Sequence, residues 1–245
     1  MKDNFSGQSA IYAKYRPAYP QALYDFILSH LANKGAAWDC GTGNGQAAME
    51  LSKVFAKVFA TDISQKQIDN AVQRDNISYS VQPAEQTDFT DNSFDLVAVA
   101  QALHWFRFND FYAEVKRVTK PGGIFAGWTY SLLRITDEIN ELIEDHHYNI
   151  LGGYWDDERK FVDEEYRNIP FPFEKIPTPS FTIEYNWTVG ELEGYLNTWS
   201  ALQKFITKNN YNPVDDLLKR IKPRWKQEQM KILFPVHLLL GRIIK

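Results

Sequence analysis

Seven residues constrain this chain more than any others: Asp39-Cys40-Gly41-Thr42-Gly43-Asn44-Gly45. They follow a short apolar run, Ala36-Ala37-Trp38, and precede a helix-like run from Gln46 to Ser52. Strand, glycine-rich turn and helix is the order that brings backbone against a nucleotide-like ligand. Glycine tolerates positive φ and has no Cβ to hold a ligand away. The new helix points unsatisfied N–H groups at whatever lies there. The turn is not the dinucleotide fingerprint, in which the third small residue follows the second by three. Here Gly45 comes one position early and Gln46 fills the expected place. Asp39, two residues before the first glycine, would repel a pyrophosphate. It suits a ligand with a positive centre and an ammonium group.

The surrounding pattern reads as a wound sheet. A second strand, Lys57 to Thr61, ends at Asp62, 21 residues after Gly41, close to the spacing of about 20 at which an acid meets ribose hydroxyls. Ser64 and Gln67 form a capping box for the next helix. A third strand, Ile77 to Val81, leads to Ala84-Glu85. Phe94 to Ala100 is nearly all apolar, as a strand buried on both faces should be. Gln101-Ala102-Leu103-His104-Trp105 follows, then a helix over about 109–119. Lys120-Pro121-Gly122-Gly123 breaks that helix, and Ile124 to Trp128 makes a fifth strand. Strands alternating with helices over 36–128 predict a parallel sheet with right-handed crossovers, whose ligands sit at the carboxyl ends of the strands. Asp39 to Gly45, Asp62, Ala84-Glu85 and Gln101 to Trp105 all fall on that rim.

Upstream, Tyr12, Tyr15 and Tyr19 surround Arg16, with Pro17 and Pro20 blocking regular helix. This segment and a helix over about 20–31 form an N-terminal cap, residues 1–33. Residues 130–180 read as an insertion serving as lid or pocket wall, helical near 136–149. His146-His147 reads as exposed helix surface, because adjacent helical residues do not face each other, and no metal site is expected. Phe181 to Trp187 reads as a strand, and Thr188 with Glu191 caps a helix bearing Tyr195 and Trp199. The segment 202–228 reads as helix broken near Asn212-Pro213, and the last strand as about 232–240. The whole chain, 1–245, is expected to form one domain.

Bulk properties exclude several classes. The net charge is −4, so no basic footprint argues for nucleic acid. Residues 131–180 carry 12 acids and 5 bases, and residues 201–245 carry 10 bases and 3 acids. These read as two solvated helical faces that attract one another. The single cysteine, Cys40, permits neither an internal disulfide nor a cysteine metal cluster. The first residues lack a signal-peptide core, and the apolar tail from Ile232 is too short to span a membrane. A cytoplasmic protein is expected; the oligomeric state is left open. The aromatic content of 15% suggests an apolar-walled pocket.

Asp-x-Gly-x-Gly-x-Gly at the end of a first strand resembles the first motif of class I S-adenosylmethionine-dependent methyltransferases. Tyr15-Arg16-Pro17-Ala18-Tyr19-Pro20 and Leu103-His104-Trp105-Phe106 are similar to a small-molecule subgroup that includes trans-aconitate methyltransferase-like enzymes. The resemblance covers nearly the whole chain. It implies an α/β fold: a Rossmann-like, doubly wound, seven-stranded sheet with its last strand antiparallel, helices on both faces and a helical insertion after the fifth strand. It implies S-adenosylmethionine as cofactor. Gly41, Gly43 and Gly45 would lie against its methionine and ribose, Asp39 near its amino group, and Asp62 on the ribose hydroxyls. Ile63 would cover the adenine face, Ala84 and Glu85 would meet its edge, and Gln101 would stand beside the methionine.

Arg16, with Tyr15, is the candidate for the methionine carboxylate, because arginine matches a carboxylate bidentately. Tyr12, His104, Trp105 and Trp199 are candidates to hold a small-molecule acceptor. The expected acceptor is an oxygen nucleophile such as a carboxylate. For a hydroxyl acceptor His104 is the candidate base; a carboxylate needs none, and His104 would then bond the acceptor or hold Trp105. The alternatives are a nicotinamide-dependent oxidoreductase on a similar sheet and a non-catalytic S-adenosylmethionine-binding module.

Overall fold

The computed structural model describes residues 15–245. Tyr12 and the rest of residues 1–14 lie outside the described residues. The apolar runs form strands β1 (Ala36–Cys40), β2 (Lys57–Asp62), β3 (Ile77–Val81), β4 (Phe94–Ala100) and β5 (Thr119–Tyr130). These pair in parallel in the order β3-β2-β1-β4-β5. The last strand, β8 (Met230–Arg242), runs antiparallel to β5. Seven strands were expected; the sheet has eight. The extra one is β6 (Glu174–Lys175), which shares the outer edge of β8 with β7 (Phe181–Trp187). A two-residue strand carries no pattern of its own, so only the long β8 reveals it.

Pairing also lengthens β5 beyond Ile124 to Trp128. Thr119 pairs with Phe94 before an irregularity at Phe94/Leu96, and Gly122 takes φ 78° within that irregular stretch of the strand. Only glycine holds that φ without strain.

Alternation along buried strands sends neighbours to opposite faces. Ala37, Leu96, Ala126 and Trp128 meet helices α1 (Gln21–Ser29) and α2 (Gln46–Leu51). Trp38, Val97, Val99 and Phe125 meet the helix Phe108–Val118 on the other face. That helix is α4; α3 is Gln65–Asp69. Trp38, Phe94 and Phe111 are nearly inaccessible, each stabilising the fold by about 1.5–3 kcal/mol through apolar burial.

The insertion begins with α5 (Asp137–Glu144) and a π-helical turn, Asp145–Ile150, followed by α6 (Arg159–Asp163). Here one expectation is corrected: His146 and His147 are 3% and 0% exposed. The wider π turn, closed by Leu151 N–H on the His146 carbonyl, turns both inward against Trp155 and Trp199. After β7 come α7 (Val189–Leu196), α8 (Ser200–Asn209) and α9 (Val214–Ile221). The Thr188–Glu191 capping box is formed. The acidic insertion and basic C-terminal region attract as expected, through Lys204–Asp156 at 2.7 Å, Arg220–Asp145 at 3.2 Å and Arg224–Glu138 at 3.7 Å. Among the described residues no helix is long and apolar enough to cross a membrane, and no group of metal-ligating side chains converges.

Candidate functional site

The glycine turn leaves β1 and wraps over the end of β2. Gly41 and Thr42 N–H groups both donate to the Thr61 carbonyl at 2.9 Å. Gly41, Gly43 and Gly45 take φ of 70°, 54° and 87°, values that only glycine adopts cheaply. A Cβ on Gly41 would stand 2.6 Å from Ala102 Cβ, whereas one on Gly43 would meet nothing within 4 Å. Gly41 is therefore needed for packing, and Gly43 presents bare backbone to open space.

Two carboxylates lock this turn. Asp39 Oδ2 accepts from Thr42 Oγ1 at 2.5 Å and from Ala48 N–H at 2.9 Å, tying the first strand to α2. Its Oδ1 is buried without a hydrogen-bond partner. Burial raises the Asp39 pKa to about 6, and the bonds from Thr42 and Ala48 only partly offset it. Asp62 ends β2; its Oδ2 accepts from Gly43 N–H and its Oδ1 from Ser64 N–H, both at 2.9 Å. These bonds fix the carboxylate plane at the cleft wall.

The cleft above the turn encloses about 940 Å³ when its open mouth is counted. Its wall brings together Gly41, Gly43, Asp62, Ile63, Gln101, Trp105 and Arg16. Asp39 and Gly45 support the wall from behind. Gln101 leaves β4 with φ 56°, a strained conformation for a side-chain-bearing residue. Its N–H donates to the Trp128 carbonyl, and Thr129 Oγ1 donates to its side-chain oxygen, so its amide is fixed at the cleft floor. The structure does not bring Ala84 and Glu85 into this wall. Ala84 is buried, and Glu85 accepts the Arg107 backbone N–H at 3.0 Å.

The N-terminal segment straps the cleft to the rest of the fold. Arg16 donates to the Tyr130 hydroxyl at 2.8 Å, Ala18 N–H to the Tyr185 hydroxyl at 2.8 Å, and Tyr19 packs edge-on against Trp128. Tyr15 lies outside the cleft wall and rests on Gly194, where a Cβ would stand 2.5 Å from its ring.

A second pocket, about 560 Å³ with its open mouth counted, adjoins the first, sharing Arg16, Gln101 and Trp105. His104, Trp155, Asp156, Arg159, Tyr195 and Trp199 complete it. His104 Nδ1 shares a 2.9 Å hydrogen bond with the Tyr166 hydroxyl. Burial, helped by the Arg159 charge and opposed by Asp163, lowers the His104 pKa to about 3. The imidazole is therefore neutral at ordinary pH. A group so hard to protonate is a poor general base.

Sequence reasoning missed part of both walls. In the cleft, Ser64 and Gln67, expected only as a helix cap, and Tyr19, expected only in an aromatic segment, also line the wall. In the second pocket it missed Trp155, Asp156, Arg159 and Tyr195. No local signal marks these four, which sit inside an acidic run and on an ordinary amphipathic helix.

Residues 38–127 match the model of a methyltransferase domain family. A Dictyostelium discoideum protein described as a methyltransferase is 34% identical, over 98% of this chain and 95% of that protein. A Saccharomyces cerevisiae protein described as an S-adenosylmethionine-dependent methyltransferase is 26% identical, over 65% of this chain and 59% of that one. A solved structure from Anaeromyxobacter dehalogenans, described as a type II methyltransferase, superposes with a TM-score of 0.87 at 34% identity. That match covers 94% of this chain and 99% of the other.

Proposed function

This chain belongs to the class I S-adenosylmethionine-dependent methyltransferases, and on that premise we propose that it methylates a small molecule at an oxygen nucleophile, a carboxylate. The nicotinamide alternative is set aside by that membership. The residues present fit the cofactor. A buried carboxylate with an unpartnered Oδ1 lies behind the turn, ready to balance positive charge. The open face of Gly43 admits a ligand against backbone, and the Asp62 carboxylate is braced by two N–H groups at the cleft wall. Asp62 would hold the ribose hydroxyls, Ile63 would cover the adenine, and Gln101 with Arg16 would hold the methionine end. When bound, S-adenosylmethionine supplies its sulfonium methyl group, which an acceptor oxygen takes as the carbon–sulfur bonding pair returns to sulfur.

The observation that carries the acceptor class is His104. It is the histidine at the mouth of β4; it is buried, its Nδ1 is tied to the Tyr166 hydroxyl, and burial holds it neutral and weakly basic. A hydroxyl acceptor needs a base there, and a carboxylate arrives already ionised. The chain's contribution is then to orient the acceptor in the second pocket and to exclude water. Trp105 and Trp199 would serve as pocket walls, and the 130–180 excursion, through Trp155, as their cover.

The test is binding followed by turnover. S-adenosylhomocysteine at a hundredfold excess over its Kd should stabilise the chain by about 2.7 kcal/mol, and NAD should not. Labelled methyl should then pass from S-adenosylmethionine to acids in a panel of carboxylic acids and alcohols. Stabilisation by NAD alone overturns the cofactor assignment. Transfer to the alcohols alone overturns the acceptor class. Binding without transfer to any acceptor favours a non-catalytic binding module.

A further inference from the structure

We propose that Arg159 is the anchor that holds an anionic acceptor in the second pocket, oriented there by Asp163 and the buried His147 behind it. The proposal rests on the methyltransferase reading above and adds to it the residue that selects the substrate's charge. Two contacts fix the plane of the Arg159 guanidinium. Its Nε donates to Asp163 Oδ1 at 3.1 Å, and its central carbon lies 4.8 Å from the centroid of the Trp155 ring. Its terminal nitrogens find no hydrogen-bond acceptor among the described residues, although the side chain forms part of the pocket wall. A guanidinium held by its Nε and one face still offers the paired N–H groups that match a carboxylate bidentately.

The support behind Arg159 is packed against buried side chains. Asp163 Oδ1 lies 3.5 Å from His147 Nε2, and His147 is wholly buried. Its ring stands 4.7 Å from that of Trp155, whose indole N–H donates to the His147 carbonyl at 3.1 Å. Burial pushes the Asp163 carboxyl up, but the neighbouring His147 and the Arg159 charge outweigh it and hold the carboxyl below its ordinary value. Asp156, the acid in the pocket wall, is engaged by Lys204 at 2.7 Å. Trp155 and Trp199 add flat apolar surface beside the cation. The geometry therefore points to a carboxylic acid with a planar, apolar body.

The experiment uses the full chain saturated with S-adenosylhomocysteine. Binding of benzoate, cinnamate and hexanoate is compared with that of each primary amide by calorimetry. The acids should bind more tightly than their amides, and the two aromatic acids more tightly than hexanoate. Arg159→Gln keeps a planar group over Trp155 without the charge. It should weaken acid binding about ten- to a hundredfold and leave amide binding unchanged. Arg159→Lys should restore part of the acid preference. Asp163→Asn should weaken acid binding about tenfold while S-adenosylhomocysteine affinity stays within about twofold. Acids that bind no better than their amides, or an acid preference intact in Arg159→Gln, would overturn the anchor. A wild-type chain that fails to bind S-adenosylhomocysteine at all would sink the methyltransferase reading, and this proposal with it.

Discussion

The cleft over the glycine turn and the second pocket share Arg16, Gln101 and Trp105, but they are built from different material. The cleft is made by backbone: three left-handed glycines, N–H groups on Asp62 and the edge of a parallel sheet. The second pocket is made by side chains from distant parts of the chain, Arg16, His104, Arg159, Tyr195 and Trp199. Their electrostatics also run in opposite directions. Burial raises the acid beneath the cleft, Asp39, and depresses the histidines of the pocket region, His104 and His146. A backbone site tolerates little change at its turn but reads its ligand with few side chains. A side-chain site is easily retuned, so cofactor and acceptor specificity can vary independently.

The largest expected effect comes from breaking the backbone half. In Gly41→Val a β-branched side chain must hold φ 70° and displace Ala102 and Phe106. The strain and clash should cost about 3 kcal/mol or more, lowering Tm by roughly 10 °C and abolishing S-adenosylhomocysteine binding. A variant with wild-type Tm and binding would show that the turn is not the rigid element described here. Next, Asp62→Ala removes one braced carboxylate and should weaken S-adenosylhomocysteine binding about ten- to a hundredfold. Calorimetry should show acid-probe binding to the second pocket changed much less, and equal losses at both sites would break the comparison.

Acid should then separate the two regions. A carboxyl raised from 3.8 to about 6 on folding favours the native state fully below 3.8, and that contribution is lost as pH rises through 6. It amounts to about 3 kcal/mol, read as the difference in pH dependence between wild type and Asp39→Asn. The cofactor's ammonium favours the ionised form, so its affinity should fall as pH drops below 6, and Asp39→Asn should flatten that profile. For His104 and His146 the folded pKa values, about 3 and about 4, lie below the ordinary 6.5. Their stabilisation is therefore present above 6.5 and lost as pH falls below it. Hydrogen-exchange protection, corrected for the intrinsic rate at each pH, should fall at residues 145–150 between pH 7 and 5 while that of β1 stays high. A loss of protection in both regions together would mean that they do not open independently.

The smallest effect is expected at His104→Gln. With a carboxylate acceptor, kcat should fall less than about tenfold and cofactor affinity should hold. A loss of a hundredfold or more with unchanged affinity would make the histidine a base after all.

Local rules made the first half of the molecule legible. Asp39, Gly41, Gly43, Gly45 and Asp62 announce themselves because a strand end, a left-handed turn and a ribose-spaced acid each demand a residue type within a few positions. The alternation of apolar strands and amphipathic helices carries the parallel sheet with them. Even Gln101 follows, since the end of β4 must lie on the same rim. What tertiary structure alone decided is where the non-local partners go. Nothing near Arg159 in sequence says that Trp155 will lie beneath it and His147 behind Asp163, because a π turn and two tryptophans from separate elements create that setting. The same holds for the burial of His146 and His147, for β6 on the edge of β8, and for Glu85 being drawn to the Arg107 N–H. Sequence period reports which face of an element is apolar. Only packing decides which two faces meet, and with them which charges are dried, paired or left to meet a substrate.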